Sequence, residues 1–416
     1  MRRIEAFLST STAKPKQKSI LQVAEFRYLS GASLTNALAM TGFNTVIGYQ
    51  LYTLTKDPLS LGWLGLVEAI PSLSLALLGG HLADRFERRR IVVLMTLIVG
   101  LCLAGMTGLA FNRNDANLLA IYGIVFCIGL AAGFLRPASS AFEQQVIPLD
   151  HINEGNSLLS SVWLTGGITG APLAGFSIDR LGIPLTYAWI TLLLFVSAFL
   201  LSRIGPKPAP PPTEGESIWQ SLREGIRFVV RSQPLVGSMA LDLFAVLFGG
   251  AMALLPIFAA DILHVGATGL GLLRTAPSIG SLLVMLVTAR ISVTHQAGRN
   301  LLIFVAGFGV SMLVFGWSTN FWLSLVALFF SGVFDGVSMV IRRIIVQRLS
   351  PEAMRGRIAA VSWLFIGASN EVGAFESGVA AKLLGTAPSV LAGGIATLLV
   401  VSVTSWILPE LRKLKL

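Results

Sequence analysis

Eight ionisable side chains lie inside runs of apolar residues: Glu68, Asp242, Asp335, Glu371, Glu376, Arg136, Arg274 and Arg342. On insertion scales a central charge facing hydrocarbon costs roughly 3 kcal/mol, so eight of them would cost on the order of 20 kcal/mol or more. They are therefore expected to face a cavity or one another. Carboxylates so placed are natural proton carriers, because desolvation favours the neutral form while a nearby Arg favours the charged one. A pair that makes and breaks is then a switch. Glu68 and Asp335 are the first candidates for the proton site, with Asp242, Glu371 and Glu376 behind them. Arg136, Arg274 and Arg342, grouped with Asn370, are candidates for holding an anionic solute or the deprotonated carboxylates, and the sequence does not rank these uses.

Helical spacing gathers some of these groups. Ser331, Asp335, Ser338 and Arg342 follow i, i+4, i+7 and i+11, a polar stripe on one face of a helix. Arg136, Ser139, Ser140 and Glu143 repeat the idea earlier in the chain. The plainer reading of either stripe is an ion pair that locks neighbouring helices together.

The elements that must position them follow from composition. The chain has 416 residues, 54% hydrophobic and only 12% charged, too few charges to cover a soluble globule of this size. Twelve apolar runs of membrane-spanning length are predicted at 28–54, 58–83, 91–111, 117–140, 157–179, 184–203, 236–262, 266–290, 300–318, 320–342, 358–384 and 388–408. Within lipid every backbone amide must be satisfied inside its own segment or in a closed barrel. Runs this long exclude a barrel, and the expected fold is an all-α membrane protein.

With both ends in the cytoplasm, the loops and tails on that side hold 24 of the 31 Lys and Arg, among them Arg2, Arg3, Lys14, Lys16 and Lys18. The opposite loops hold only Lys56, Arg113, Arg180 and Lys382. This asymmetry predicts a multi-pass protein of a bacterial-type inner membrane with cytoplasmic termini. Anionic headgroups account for the net charge of +10 without nucleic acid. The N-terminal stretch lacks the pattern of a cleaved signal. Cys102 and Cys127 fall inside apolar spans, where they are expected to pack as small hydrophobes rather than to pair.

The proline cluster from Pro206 to Pro212 is too polar to span and separates two halves. The expected organisation is a tail at 1–27, six helices at 28–203, a linker at 204–235, six helices at 236–408 and a tail at 409–416. Ile218 to Val230 reads as an amphipathic helix suited to the membrane surface, or equally as a solvated linker. Adding 206 overlays Gly65, Leu66, Pro71 and Ser72 on Gly271, Leu272, Pro277 and Ser278, and Arg136 on Arg342. The same shift sets Glu68 on Arg274. The halves are thus expected to be pseudo-symmetric bundles related by an axis along the membrane normal.

Two motifs stand on this frame. Gly80-His81-Leu82-Ala83-Asp84-Arg85-Phe86-Glu87-Arg88-Arg89-Arg90 closes the second span. Gly80 there can admit a close neighbour, Asp84 can complement a helix N-terminus in the other half, and Arg85, Arg88 and Arg89 can pair with carboxylates such as Glu143. In the second half Arg290 stands where Asp84 should repeat, so the latch is expected to be one-sided. The fifth span carries Gly166, Gly170, Pro172 and Gly175, small residues for close helix contact and a proline for a bend, or simply for packing.

The segment from Gly80 to Arg90 resembles the signature loop of the major facilitator superfamily, Gly-x-x-x-Asp-Arg-x-Gly-Arg-Arg, with Glu87 in place of its second Gly. The small residues of the fifth span resemble the glycine and proline motif of that superfamily's antiporters, with Ala171 inserted before Pro172. Nearly the whole chain is similar to the enterobactin-exporter-like, or transmembrane secretion effector, branch. The stretches that carry this are Phe134 to Ala138, Leu272 to Pro277, Met354 to Arg357 and Ile366 to Gly378. The resemblance implies proton-driven export of siderophores, drugs or other amphiphiles.

No Gly-x-x-x-x-Gly-Lys-Ser loop is present, so ATP is not the expected energy source. His81, His151, His264 and His295 are not spaced with Cys or carboxylates as metal ligands. No nucleophile, base and orienter set emerges, and neither an enzyme nor a cofactor is expected. The expectation is a monomeric secondary transporter exchanging protons for a small molecule by alternating access. An uncoupled facilitator or lipid flippase, and a non-transporting sensor or scaffold, are the alternatives.

Overall fold

The computed structural model describes residues 19–112, 117–208, 218–249, 251–288, 295–351 and 354–415. Arg2, Arg3, Lys14, Lys16, Lys18, Arg113, Pro210 to Pro212 and Arg290 lie outside the described residues. Among those described, the regular structure is helical throughout. The first half comprises α1 (Ala24–Thr55), α2 (Pro58–Arg85), α3 (Arg88–Phe111), α4 (Leu118–Val146), α5 (Ile152–Leu181) and α6 (Ile183–Ser202). A linker helix α7 (Ile218–Arg231) leads to α8 (Gln233–Gly249), α9 (Gly266–Thr288), α10 (Ala297–Trp317), α11 (Phe321–Leu349), α12 (Arg355–Leu384), α13 (Thr386–Ile407) and the short α14 (Pro409–Lys413).

Caps and turns fix the helix ends. Asp57 accepts from Leu59 N at 3.1 Å with Pro58 at the first helical position, and Asn117 and Asn320 cap α4 and α11 in the same way. Gly182 (φ +82°) joins α5 to α6 and Gly385 (φ +92°) joins α12 to α13, each in a backbone conformation that L side chains avoid. Several helices overrun the apolar runs predicted for them, α4 to Val146 and α11 to Leu349. Hydropathy registers only the part in hydrocarbon, whereas the hydrogen-bond ladder continues into the interface.

Among the described residues, nine helical segments are long and apolar enough to cross a membrane. Three more, α1, α5 and α12, have 32, 30 and 30 residues but more polar sequences. Two of the three, α5 and α12, line the contact between the halves. Their polarity is that of an interior, not of a lipid-facing surface. Exposed Trp317 and Trp322 mark the turn between α10 and α11, and exposed Trp406 the opposite end of α13, as two aromatic belts would. Cys102 and Cys127 are both free thiols.

The two halves repeat one packing scheme. In the first, α1 packs on α5 and α6, α2 on α4, and α3 on α4 and α6. In the second, α8 packs on α12 and α13, α9 on α11, and α10 on α11 and α13. Helix by helix these are the same neighbours. The linker begins on the first half, where Glu25 accepts from Gly205 N and pairs with Lys207 at 2.6 Å. In α7, Val229 is buried while Arg223, Arg227 and Arg231 are exposed, and the helix packs on α8 and α12.

The seventh predicted span, 236–262, is not one regular helix. After Gly249 it continues as a 3-10 turn (Ala251–Leu254), a short α segment (Leu255–Ile257) and a π-helix (Phe258–Ile262). Pro256 cannot donate to the carbonyl four residues back, which removes one α-helical hydrogen bond at the break. Such irregular turns recur at functional sites.

Candidate functional site

Two glycine seams join the halves, both in the part of the molecule farther from the chain ends. Along α5 and α9, a Cβ on Gly175 would overlap the Ala267 carbonyl, and one on Gly271 would fall 2.5 Å from the Ala171 carbonyl. Along α2 and α12, a Cβ on Gly378 would fall 2.9 Å from Gly62 Cα, and Trp63 meets Phe375 edge-on at 5.1 Å. Under the repeat α2 corresponds to α9 and α5 to α12, so the seams are symmetry mates.

Three carboxylates join the halves, two of them along the seams. Asp57 pairs with Lys382 at 2.9 Å, from one half to the other. Asp261 accepts from the Tyr52 hydroxyl and lies 3.7 Å from Lys56. Asp179 accepts from Thr268 N at 2.8 Å and Ala267 N at 3.3 Å, using the orphan donors at the start of α9. On α5, Gly166 and Gly170 pack against α1 at Ala37, Leu38 and Thr41, while Gly175 serves the seam. The helix runs on through Pro172. That proline leaves the Ile168 carbonyl without its helical donor, and the buried Thr275 hydroxyl of α9 lies 3.1 Å from it.

The signature segment at the end of α2 behaves otherwise than expected. Gly80 meets open space, and it is Gly79 that seats against Gly133 and Phe134 of α4. Asp84 is exposed and takes Arg88 at 3.1 Å instead of a helix end in the other half. Arg88 also reaches the Ala83 and Ala141 carbonyls, and Arg89 donates to Ser202 O. Arg85 is exposed. Glu143, the expected partner of these arginines, faces the Trp163 indole. Among the described residues, the segment's partners all lie within its own half.

Inside, the charges fall into two groups. Arg342 pairs with Asp242 of α8 and lies 3.4 Å from Asp335, seven residues earlier on its own helix. Asp242 is buried, Arg342 is 14% exposed and Asp335 47%, so the acid on α8 is the one sealed by the guanidinium. Arg342 and Asp335 border a cavity of about 210 Å³ walled by α8, α10, α11 and α12, with Asn370, Phe308 and Met252 in its lining. The polar stripe along α11 is real, and Ser338 Oγ is buried in it without a partner. The other group is Glu68, Glu371 and Arg136, within electrostatic reach of one another. The Glu371 carboxylate packs against Gly65, one turn from Glu68, so this acidic pair straddles the halves. Glu376, five residues on, lies on another face of α12. Arg274 stands apart from both groups.

Sequence reasoning missed Asp57, Asp179, Asp261, Tyr52 and Thr275. The only signal of the three acids was a carboxylate next to a span end, which is also what an ordinary cap looks like, and Tyr52 and Thr275 had none. The Lys382 ammonium, by its hydrogen bond, holds the Asp57 carboxyl below the usual carboxylate range. A carboxylate so lowered keeps its partner at neutral pH and loses it only as pH falls through the lowered value. The distance between spin labels at the ends of α2 and α12 that carry Asp57 and Lys382 is therefore expected to stay constant from about pH 8 to about pH 5. A change inside that window would mean that another group controls the closure.

The profile of the Major Facilitator Superfamily matches residues 29–369. The chain is 26% identical over 341 residues to the Enterobactin exporter EntS of Shigella boydii serotype 18, covering 82% of this chain and 81% of that protein. The EntS of Escherichia coli gives the same identity and coverage. Among solved structures, the nucleoside transporter NupG superposes with a TM-score of 0.70 at 14% identity, covering 94% of this chain and all of that one. The peptide transporter POT in complex with sulfate gives 0.74 at 15% identity, covering 96% and 97%. At these identities the likeness is one of fold. The repeated packing, the paired seams and the matched profile agree: the chain belongs to the Major Facilitator Superfamily and is a multi-pass membrane transporter.

Proposed function

We propose that the chain is a proton-coupled exporter of a small amphiphile, of the kind that the EntS relatives' name describes, working by alternating access in a bacterial inner membrane with both ends cytoplasmic. The observation that carries this is the Asp242–Arg342–Asp335 cluster, in which Arg342 and Asp335 line the cavity and Asp242 is sealed behind the guanidinium. Two acids share one guanidinium there, so a proton on one releases the Arg to the other. A charge arrangement with two discrete states is what coupling requires. The acids Glu68 and Glu371 bring the two halves into the same proton network, because they face each other across the α2–α12 contact. In this reading the conformer described is closed outside and unlatched inside, ready to take cargo from the cytoplasm.

Glu68→Gln and Asp335→Asn are each expected to reduce pH-driven uptake of cargo into inverted vesicles at least about tenfold while leaving binding by the purified protein within about threefold. The cargo is identified beforehand by thermal stabilisation across siderophores, aromatic anions, cationic drugs and lysolipids. Uptake that persists after the proton gradient is collapsed would replace exchange with facilitated diffusion or lipid flipping.

A further inference from the structure

The three arginines within the spans are not equivalent. Arg342 is met by two carboxylates, and Arg136 lies within electrostatic reach of Glu68 and Glu371. Arg274 forms no ion pair with a described carboxylate, and its Nε is buried without a hydrogen-bond partner. It lies about 12 Å along α9 from the Gly266 end, well inside the membrane thickness. Across from it stands Gly48 of α1, where a Cβ would come 3.3 Å from the guanidinium Nη2 and 3.3 Å from Pro256 Cγ. The guanidinium thus sits where α1 of one half, α9 of the other and the broken seventh span converge. Gly48 leaves it the room.

A guanidinium cannot shed its proton, and a partly buried cation without a counter-charge destabilises the fold that holds it. Such a charge is retained where it meets something the bare protein lacks. We propose that Arg274 is the anion-recognition residue of the transport pathway, holding an oxyanion of the cargo such as a carboxylate, a phenolate or a phosphate. The inference rests on the transporter reading above and narrows its cargo to molecules with an anionic head on an apolar body. The site is shared between halves, so its grip changes as they rock, and this differential affinity is what lets bound cargo bias the two states. The repeat supports a division of labour. The position equivalent to Arg274 in the first half is Glu68, which has Arg136 within reach, whereas Arg274 has no such complement.

The test uses the full-length protein in nanodiscs of zwitterionic lipid, with naphthoate, neutral naphthamide and naphthylmethylammonium as matched probes. Naphthoate is expected to raise the Tm of the wild type and the other two to leave it unmoved. Arg274→Met is expected to raise the Tm of the unliganded protein by about 2 °C or more and to abolish the naphthoate increment. Arg274→Lys retains part of that increment, and Arg343→Gln, at an exposed position on α11, retains all of it. A naphthoate increment that survives in Arg274→Met, or an equal increment from the ammonium probe, overturns the proposal. So does loss of folding in both Arg274 variants, which would make the residue structural. If anionic lipid in the nanodisc produces an Arg274-dependent increment without naphthoate, the site stands and its anion is a headgroup. These readouts involve no transport, so failure of proton coupling leaves them intact, and their failure leaves the exporter reading to its own assay.

Discussion

Gly271→Val is expected to abolish transport and to hold the face away from the chain ends open, without unfolding the protein. At this position a Cβ would stand 2.5 Å from the Ala171 carbonyl and 2.8 Å from Pro172 Cα, both backbone atoms of α5 in the other half. A flexible side chain could swing aside. A helix backbone cannot, and the helices must part before any larger residue fits. Parting them withdraws Asp179 from the start of α9 and Thr275 from the Ile168 carbonyl. The only conformers left are those in which the seam is already open, which the alternating-access proposal assigns to the transport cycle. Folding within each half is untouched because the seam is not part of either half's own packing. Gly167→Val, on the same helix as Ala171 but with open space where its Cβ would stand, is the matched control. Transport should fall at least about a hundredfold for Gly271→Val and less than about twofold for the control. Spin labels flanking the α5–α9 contact should report a longer distance in the first variant alone. Wild-type transport by Gly271→Val would show that the seam need not close.

Much of this architecture was legible in the sequence because lipid leaves so few alternatives. Apolar runs located the spans, and an offset of 206 residues revealed the repeat from Gly65, Pro71 and Ser72. Local spacing also gave the stripe on α11, since i, i+4, i+7 and i+11 are geometry within one helix. What it could not give is which charge on one helix meets which on another. Asp242 as the sealed partner of Arg342, the solitude of Arg274, and the reach between Glu68 and Glu371 are all tertiary facts. The closure between the halves was hidden for a related reason. Asp57 is the N-cap of α2, and Lys382, expected in a loop, stands in the last turn of α12, yet the two meet across 325 residues. Gly80 was read as the close-contact glycine of its motif, whereas Gly79 has that role in this conformer. The two are adjacent in the chain, and only helix rotation distinguishes them. The break in the seventh span had a signal in Pro256, but a proline inside a span is also tolerated without any break, as Pro71, Pro172 and Pro277 show.

Arg342→Gln is expected to be the most damaging single change in the interior. It removes the counter-charge from Asp242, whose side chain is only 8% exposed, and leaves Asp335, at 47%, with water as a partner. Breaking a buried pair by deleting one member costs about 3–5 kcal/mol, because the remaining charge stays buried without compensation. Removing both members costs much less. Asp242→Asn combined with Arg342→Gln should therefore recover most of the lost thermal stability, with an interaction energy of about 1–3 kcal/mol in the double-mutant cycle. Asp335→Asn combined with Arg342→Gln should recover little, since the exposed acid was not the one stranded. The two double variants differ in a single carboxylate, so comparing their melting curves assigns the structural share of the cluster to one acid. Equal recovery in both would mean that the guanidinium is shared evenly and that burial does not decide the pairing. Transport should stay absent in all of these variants whatever their stability, because a switch with no arginine to pass between two acids has only one state.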